Sequence, residues 1–184
     1  HHVNPLKQGY VGIAAERVPL PPPTIPVEVE LGCADARFLF ERAAQRPAAT
    51  YIGLEIRREM VARVNQQAQQ QGLANLRAVH ANINTDLFGL FPRGRLQRIF
   101  INFPDPWFKR TQHKRRLMTL ELATQLAALL TPDGELLFQS DVFDLALDAM
   151  AVLEQEPGLR NVRGEWSFLP QNPYGVQSLR EVRV

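Results

Sequence analysis

The sequence lacks several features that would each indicate a particular class of protein. It contains a single cysteine, Cys33, so no disulfide can form within the chain, which is typical of a reducing compartment such as the cytoplasm. It has no run of about eighteen apolar residues, the length that a membrane-spanning helix needs. Residues 1–7 lack the apolar segment of a signal peptide. We therefore expect a cytoplasmic protein without a membrane span.

Motifs for metal and dinucleotide binding are also absent. His80 and His113 have no further ligand residues at metal-site spacing, so we predict no bound metal. The turn after the first predicted strand contains one glycine, Gly32, whereas the dinucleotide fingerprint requires three in a fixed pattern. The missing glycines disfavour a nicotinamide-dependent oxidoreductase.

The composition is that of an ordinary globular domain whose charge is unevenly distributed. Of 184 residues, 45% are hydrophobic and 22% are charged, which predicts one domain with a substantial core. The formal net charge of +2 does not by itself indicate a polyanionic partner, but basic residues cluster between positions 109 and 116. Residues 1–26 are rich in proline and predict an extended arm, followed by a folded domain at residues 27–184.

Strand-like and helix-like segments alternate regularly after the arm. Strands are predicted at residues 27–31, 51–56, 76–80, 96–103 and 135–139. Helices are predicted at residues 37–44, 59–71, 117–130 and 143–155. Such alternation indicates an α/β fold of the Rossmann-like kind, with a mostly parallel central sheet and helices on both of its faces.

Small or polar residues follow three successive predicted strands. Glu30 lies near the end of the first strand and Gly32 just after it, Glu55 lies near the end of the second strand, and Asn82 lies just beyond the third. Parallel strands end at one edge of a sheet, so these residues are expected to lie close together. A small-residue turn lets a ligand approach the backbone, a strand-end acid can bind ribose hydroxyls, and Asn82 can pair with an adenine edge. Each is compatible with an ordinary turn when taken alone, but together they predict a nucleoside pocket.

A proline-bounded acid follows the fourth predicted strand. In the run Phe103-Pro104-Asp105-Pro106-Trp107-Phe108-Lys109, each proline fixes its own φ and disfavours helix in the residue before it. Asp105 therefore lies on a stiff turn at the carboxyl end of a buried strand, where an open α/β sheet places ligand chemistry. The basic cluster that follows suits contacts to RNA phosphates, which give affinity without reading sequence. The residues predicted for these contacts are Arg110, Lys114, Arg115 and Arg116.

Together, the strand-end residues and this run resemble the tRNA (guanine-N7-)-methyltransferases, a family of class I enzymes that use S-adenosylmethionine. The resemblance implies methyl transfer to ring nitrogen 7 of a variable-loop guanine in tRNA. Whether the protein is a monomer or a homodimer is left open by the sequence. It implies that Asp105 is the catalytic residue. The cofactor-binding residues would be Glu30, Gly32, Glu55, Asn82 and Asp105. The substrate-binding residues would be Lys109, Asp141, Ser178, Leu179, Arg180 and Glu181.

The chain departs from the family pattern at several of these positions. Its glycine-rich turn is reduced to Gly32 with Ala34 and Ala36, which predicts a stiffer loop. Asn82 stands where the family usually has Asp, and Arg180 replaces an apolar residue. The reduced turn leaves open an alternative function, a nucleic-acid-binding module with a degenerate, inactive methyltransferase fold. A methyltransferase acting on amino groups fits less well, because its Asn or Asp followed by two prolines and an aromatic residue is missing.

Overall fold

The computed structural model of the protein describes residues 3–13, 16–178 and 180–183, with side chains left undescribed at 110, 113, 114 and 183. The strands are β1 (Val27–Leu31), β2 (Thr50–Glu55), β3 (Leu76–His80), β4 (Leu96–Asn102) and β5 (Leu130–Gln139). The α-helices are α1 (Arg37–Gln45), α2 (Arg58–Gln70), α3 (Ile83–Leu90), α4 (Leu120–Leu129) and α5 (Phe143–Leu153). Short 3₁₀ helices cover Gln8–Tyr10, Arg110–Arg115 and Glu181–Arg183.

Within the described residues, the strands form a single all-parallel sheet in the order β3-β2-β1-β4-β5. Alternate residues of each strand supply two separate cores. Val27 and Val29 of β1 pack with residues of α3, α4 and α5, whereas Tyr51 of β2 and Phe100 of β4 pack with residues of α1 and α2. The predicted Rossmann-like fold, with helices on both faces of the sheet, is confirmed. None of the helices in the described ranges combines the length and apolar character that crossing a membrane requires.

The predicted elements agree with the structure within three residues at their ends, with two exceptions. Helix α3 was not predicted, because its first turn is polar and resembles a loop. Asn82 caps that helix by accepting a hydrogen bond from the amide of Asn84 at 3.1 Å. Strand β5 begins at Leu130, five residues before the predicted strand, because the Thr131–Gly134 segment forms an irregularity inside the strand, where the pairing with β4 shifts register.

The proline-rich arm packs against the domain. Val18 is buried in the core, and its amide donates to the carbonyl of Leu90 at 3.0 Å. Further along, Nη2 of Arg95 donates to the carbonyls of Pro21 and Ile25 at 2.8 and 3.1 Å. A proline-rich chain offers carbonyls but few amide donors, so an arginine side chain supplies the missing partners. The sequence predicted extended backbone over packed structure here, and the packing of Val18 was not foreseen.

The C-terminal segment returns across the α1 face of the sheet and is attached there by Tyr174. Its ring meets the ring of Phe100 edge-on at 5.1 Å and lies 5.1 Å from the guanidinium of Arg42. The Tyr174 hydroxyl bonds to Oε2 of Glu135 at 3.1 Å, and burial raises its pKa to about 12. This attachment brings Glu181 to the carboxyl end of β5, where its Oε1 accepts a hydrogen bond from Nε2 of Gln139 at 3.1 Å.

Candidate active site

A cavity of about 770 Å³ opens at the carboxyl ends of the central strands, as the sequence predicted. It brings together most of the predicted site residues: Glu30, Gly32, Glu55, Asn82, Asp105, Arg115, Asp141, Ser178 and Arg180. Lys109, Arg116 and Glu181 do not line it, although each lies within three residues of one that does. Leu179 and the side chains of Arg110 and Lys114 lie outside the described part of the chain. The described residues contain no group of three or more His, Cys, Asp or Glu that could hold a metal.

Glu30 presents a buried carboxyl group with one open oxygen. Its Oε1 accepts a hydrogen bond from Nδ2 of Asn102 at 2.8 Å, whereas Oε2 has no partner in the described residues. Burial raises its pKa to about 8, against the lowering effect of the Asn102 bond, and the nearby charges of Asp35 and Glu55 raise it further. Asn102 was missed as a site residue, although it too is a polar residue at the end of a strand. The open oxygen can accept a hydrogen bond from an ammonium group.

Glu55 is held by hydrogen bonds at both carboxylate oxygens. Oε2 accepts from the amide of Ala34 and from Nη2 of Arg57, each at 3.0 Å. Oε1 accepts from the amide and Nε of Arg57 at 2.9 and 3.0 Å, and this bonding raises the Arg57 pKa. Arg57, which was not predicted as a site residue, lines the cavity two residues after the strand-end acid. A ribose that binds Glu55 must therefore displace or share the Arg57 guanidinium.

The reduced glycine turn keeps left-handed backbone despite its alanines. Gly32, Ala34 and Ala36 have φ angles of 79°, 49° and 55°. The left-handed region costs an alanine about 1–2 kcal/mol, so this turn stores strain that glycine would relieve. Between them, Cys33 is buried against Gly53 of β2, and burial raises the pKa of its thiol. Cys33 thus lines the pocket as a neutral thiol.

Asn82 has a role that the sequence did not predict. Its Nδ2 donates to the carbonyl of Pro5 at 2.9 Å and to that of Tyr10 at 2.8 Å. The adjacent helix residue Thr85 accepts from the amide of Gly12 at 3.2 Å, so residues 3–12 lie over the start of α3. Val3 and Pro5 form part of the cavity wall. The adenine contact of Asn82 stays a prediction. To make it, the side-chain amide must give up its hydrogen bonds to the carbonyls of Pro5 and Tyr10 and bond to the base.

Asp105 lies partly buried in the cavity wall, on a turn bounded by strained residues. Phe103 and Trp107, which flank the Pro-Asp-Pro sequence, have φ angles of 52° and 45°. Such conformations cost a non-glycine residue about 1–3 kcal/mol and persist where the surroundings fix them. The amide of Phe103 donates to the carbonyl of Gln139 on β5 at 2.9 Å, which fixes the start of the turn.

Two arginines of the basic cluster contact this turn. The guanidinium of Arg115 lies over the ring of Trp107, 5.0 Å from its centroid, and lines the cavity. Nε of Arg116 donates to the carbonyl of Pro106 at 3.2 Å, and its Nη1 bonds to Asp148 of α5. Their predicted phosphate contacts stay predictions, but Arg116 already has two protein partners.

The C-terminal segment also lines the cavity, through Ser178 and Arg180. Ser178 and Glu181 form a capping box, in which the Ser178 amide donates to Oε2 of Glu181 at 2.6 Å and the Glu181 amide donates to Oγ of Ser178 at 3.3 Å. Nε and Nη2 of Arg180 donate to Oδ2 of Asp141 at 2.8 and 2.5 Å. The arginine that departs from the family pattern therefore pairs with a predicted substrate-binding acid.

The sheet order and the acid-lined cavity at its carboxyl edge define a class I methyltransferase fold. A solved precorrin-6y C5,15-methyltransferase from Geobacter metallireducens GS-15 has this fold, with a TM-score of 0.56 and 18% identity over 71% of this chain and 62% of that chain. A SAM-dependent methyltransferase from Aquifex aeolicus gives a TM-score of 0.54 and 15% identity, over 70% of each chain. Likeness at such identities establishes the fold alone.

Sequence relatives establish the family. A family described as "Putative methyltransferase" matches residues 24–183. The tRNA (guanine-N(7)-)-methyltransferase of Thermosynechococcus vestitus is 37% identical over 187 aligned positions, covering 98% of this chain and 85% of the relative. The enzyme of the same name from Synechocystis sp. is 36% identical and covers 98% of this chain and 88% of its own length. The chain belongs to the tRNA (guanine-N(7)-)-methyltransferase family.

Proposed function

We propose that this protein transfers the methyl group of S-adenosylmethionine to ring nitrogen 7 of a guanine in tRNA. The observation that carries the proposal is the shared cavity of Asp105, Glu30 and Glu55 in a chain of this family. The finer assignment to the variable-loop guanine is part of the proposal. So are a cytoplasmic location and a monomeric or homodimeric state.

The cavity residues fit the chemical groups of S-adenosylmethionine. The open Oε2 of Glu30 suits the ammonium of the methionine moiety, and the carboxylate of Glu55 suits the two ribose hydroxyls. The turn at Gly32 lets the methionine moiety approach the backbone at the end of β1. When bound there, the cofactor supplies an activated methyl group on its sulfonium.

The reaction requires orientation more than proton transfer. Ring nitrogen 7 of guanine has a free lone pair and carries no proton, so no general base is obligatory. Holding the base in line with the methyl group supplies much of the rate enhancement. The purine gains positive charge during transfer, and the carboxylate of Asp105 stabilises that charge or bonds to the guanine edge. Its stiff turn limits reorganisation of the carboxylate as the reaction proceeds.

Binding of the tRNA backbone falls to the basic residues beside this turn. Lys109 is exposed at the end of the turn, and Arg110 and Lys114 follow it in the sequence. Cations here contact phosphates and give affinity that falls with added salt. Asp141, Ser178 and Arg180 form part of the cavity wall, and the target nucleoside binds beside it.

Incubation with unmodified tRNA and methyl-labelled S-adenosylmethionine, followed by nucleoside mass spectrometry, tests the proposal. We expect labelled 7-methylguanosine from the wild-type protein and none from Asp105→Ala, which retains S-adenosylhomocysteine binding in calorimetric titration. Asp133→Ala, which removes an exposed acid at the far end of β5, is the matched control. Near-normal turnover by Asp105→Ala refutes the role of that carboxylate. A wild-type protein that binds tRNA but no S-adenosylhomocysteine favours the inactive binding module instead.

A further inference from the structure

We propose that Arg116 is a positioning residue for Asp105, in addition to the residues already assigned to the reaction. Its guanidinium connects the carbonyl of Pro106 to Asp148 on α5. In this way it sets the direction in which the Asp105 carboxylate faces the cavity. The inference rests on the proposed function, because it concerns the alignment of Asp105 during methyl transfer.

The turn that carries Asp105 needs support from outside its own backbone. Pro104 and Pro106 have no amide hydrogen and cannot donate to neighbouring carbonyls. The φ angles of Phe103 and Trp107, 52° and 45°, lie in a region that these residues rarely adopt without constraint. The first side of the turn is fixed by the Phe103 amide, which donates to β5. The Arg116 bond to the Pro106 carbonyl fixes the second side, one residue after Asp105.

Arg116 is anchored to a rigid element. Its side chain is 14% exposed, and its partner Asp148 lies on α5, a helix whose Leu145 and Ala149 are buried in the core. The planar guanidinium binds two acceptors at once, one through Nε and one through Nη1. A lysine ammonium is a point charge and does not reproduce this geometry.

The same contacts separate Arg116 from the phosphate-binding residues. A phosphate contact uses exposed donors, whereas two groups of this guanidinium already bond to protein acceptors and little of the side chain is exposed. Arg115, its neighbour, lies over the Trp107 ring and lines the cavity directly. Adjacent arginines thus fix two different residues that follow Asp105, Pro106 by a hydrogen bond and Trp107 by a cation–π contact.

The experiment compares Arg116→Gln, Arg116→Lys and Asp148→Asn with wild type. Asp148→Asn removes the negative charge of the second anchor, on a side chain that is 59% exposed, so it weakens the same connection with little risk of unfolding. Arg63→Gln, which removes an exposed cation from α2, is the matched control for charge. Each protein is measured for its single-turnover rate with saturating unmodified tRNA, its S-adenosylhomocysteine affinity, and its tRNA affinity over a range of salt concentrations.

We expect Arg116→Gln to slow the single-turnover rate about tenfold or more. The affinities for S-adenosylhomocysteine and for tRNA should stay within about twofold of wild type, and the salt slope of tRNA binding should be unchanged. Arg116→Lys should recover part of the rate, and Asp148→Asn should show a smaller loss in the same direction. A normal rate with a salt slope reduced by about one makes Arg116 a phosphate contact and overturns the inference. Unchanged rates in both Arg116→Gln and Asp148→Asn also overturn it. A wild-type protein that methylates no tRNA instead refutes the proposed function.

Discussion

Arg57 binds both carboxylate oxygens of Glu55, with Nε 3.0 Å from Oε1 and Nη2 3.0 Å from Oε2. The acid assigned to ribose recognition therefore has a cationic partner two residues along the chain. Arg57 neutralises the negative charge of the buried carboxylate. Without this partner the buried charge would be strongly destabilising. When a ribose binds Glu55, hydrogen bonds from its hydroxyls replace one or both of the bonds from the Arg57 guanidinium.

Glu55→Gln should weaken S-adenosylhomocysteine binding by about tenfold or more, because a hydrogen bond to a charged group contributes about 1.5–3 kcal/mol. Affinity for tRNA should stay unchanged, since the proposal assigns Glu55 to the ribose of the cofactor and not to the tRNA. Calorimetric titration and a tRNA filter-binding assay measure the two affinities. Glu59→Gln, at an exposed acid of α2, is the control. An equal loss of tRNA affinity would contradict the assignment of Glu55 to the ribose.

The buried carboxyl of Glu30 should make stability depend on pH. Its pKa is about 8 in the folded protein and 4.5 as an unperturbed group, so between these values the folded protein holds a proton that the unfolded chain has lost. The free energy of unfolding must therefore fall as pH rises from about 4.5 to about 8. Between pH 5 and pH 8 we expect this group to lower it by roughly 2–4 kcal/mol.

Urea unfolding of wild type and Glu30→Gln at pH 5, 6, 7 and 8 measures this contribution. The glutamine cannot lose a proton, so its curve should decline less steeply than that of wild type across this range. All other titrating groups are shared by the two proteins and cancel in the difference. Parallel curves would show that the carboxyl titrates normally and that its burial has been overestimated.

Residues 3–12 should detach from the start of α3 when Asn82 is changed to Asp, the residue usual in the family. The carboxylate would face the carbonyls of Pro5 and Tyr10 without an amide donor, and removing one partner of a buried bond costs about 1–3 kcal/mol. Hydrogen exchange at the Tyr10 and Gly12 amides should accelerate about tenfold or more. Asn84→Asp adds the same charge two residues away, at a residue whose backbone amide is the group bonded to Asn82. Unchanged exchange in Asn82→Asp would mean that these bonds do not hold the segment.

The positions of the strands along the chain and the place of the cavity could be predicted because they depend on local pattern. Strand-length apolar runs bounded by turns define β1 to β4, and acids at strand ends must meet at one edge of a parallel sheet. Glu30, Glu55, Asp105 and Asp141 therefore lie together as predicted. Helix α3 escaped prediction because its capping residues resemble a loop.

The partners of the site residues could not be predicted, because they come from distant parts of the chain. Asn82 bonds to carbonyls more than seventy positions before it, and Arg116 bonds to an acid 32 positions after it. Such pairs depend on how helices and segments pack on the sheet, which periodicity does not encode. An arginine in a basic cluster therefore looks the same in sequence whether it faces solvent or supports a turn.

Gly53 should tolerate no side chain, because β2 passes directly beneath the Gly32–Ala36 turn. A Cβ at this position would lie 2.4 Å from Sγ and 2.8 Å from Cβ of Cys33. Gly53→Ala should therefore lower the free energy of unfolding by about 1–3 kcal/mol, the usual cost of overpacking. It should also weaken S-adenosylhomocysteine binding, because the turn that lines the cavity must shift. Urea unfolding and calorimetry measure the two effects.

A second substitution at Cys33 tests whether this contact is the cause. Cys33→Ala combined with Gly53→Ala removes the clash with Sγ but keeps the one with Cβ, so it should recover only part of the loss. Gly89→Ala, on α3 with nothing within 4 Å of the added Cβ, should change stability little or raise it by up to about 1 kcal/mol, since alanine favours helix. Equal stability of Gly53→Ala and Gly89→Ala would show that the strand and the turn are free to separate. In that case the Gly32–Ala36 turn would move away from β2 far more easily than the buried contacts of Cys33 indicate.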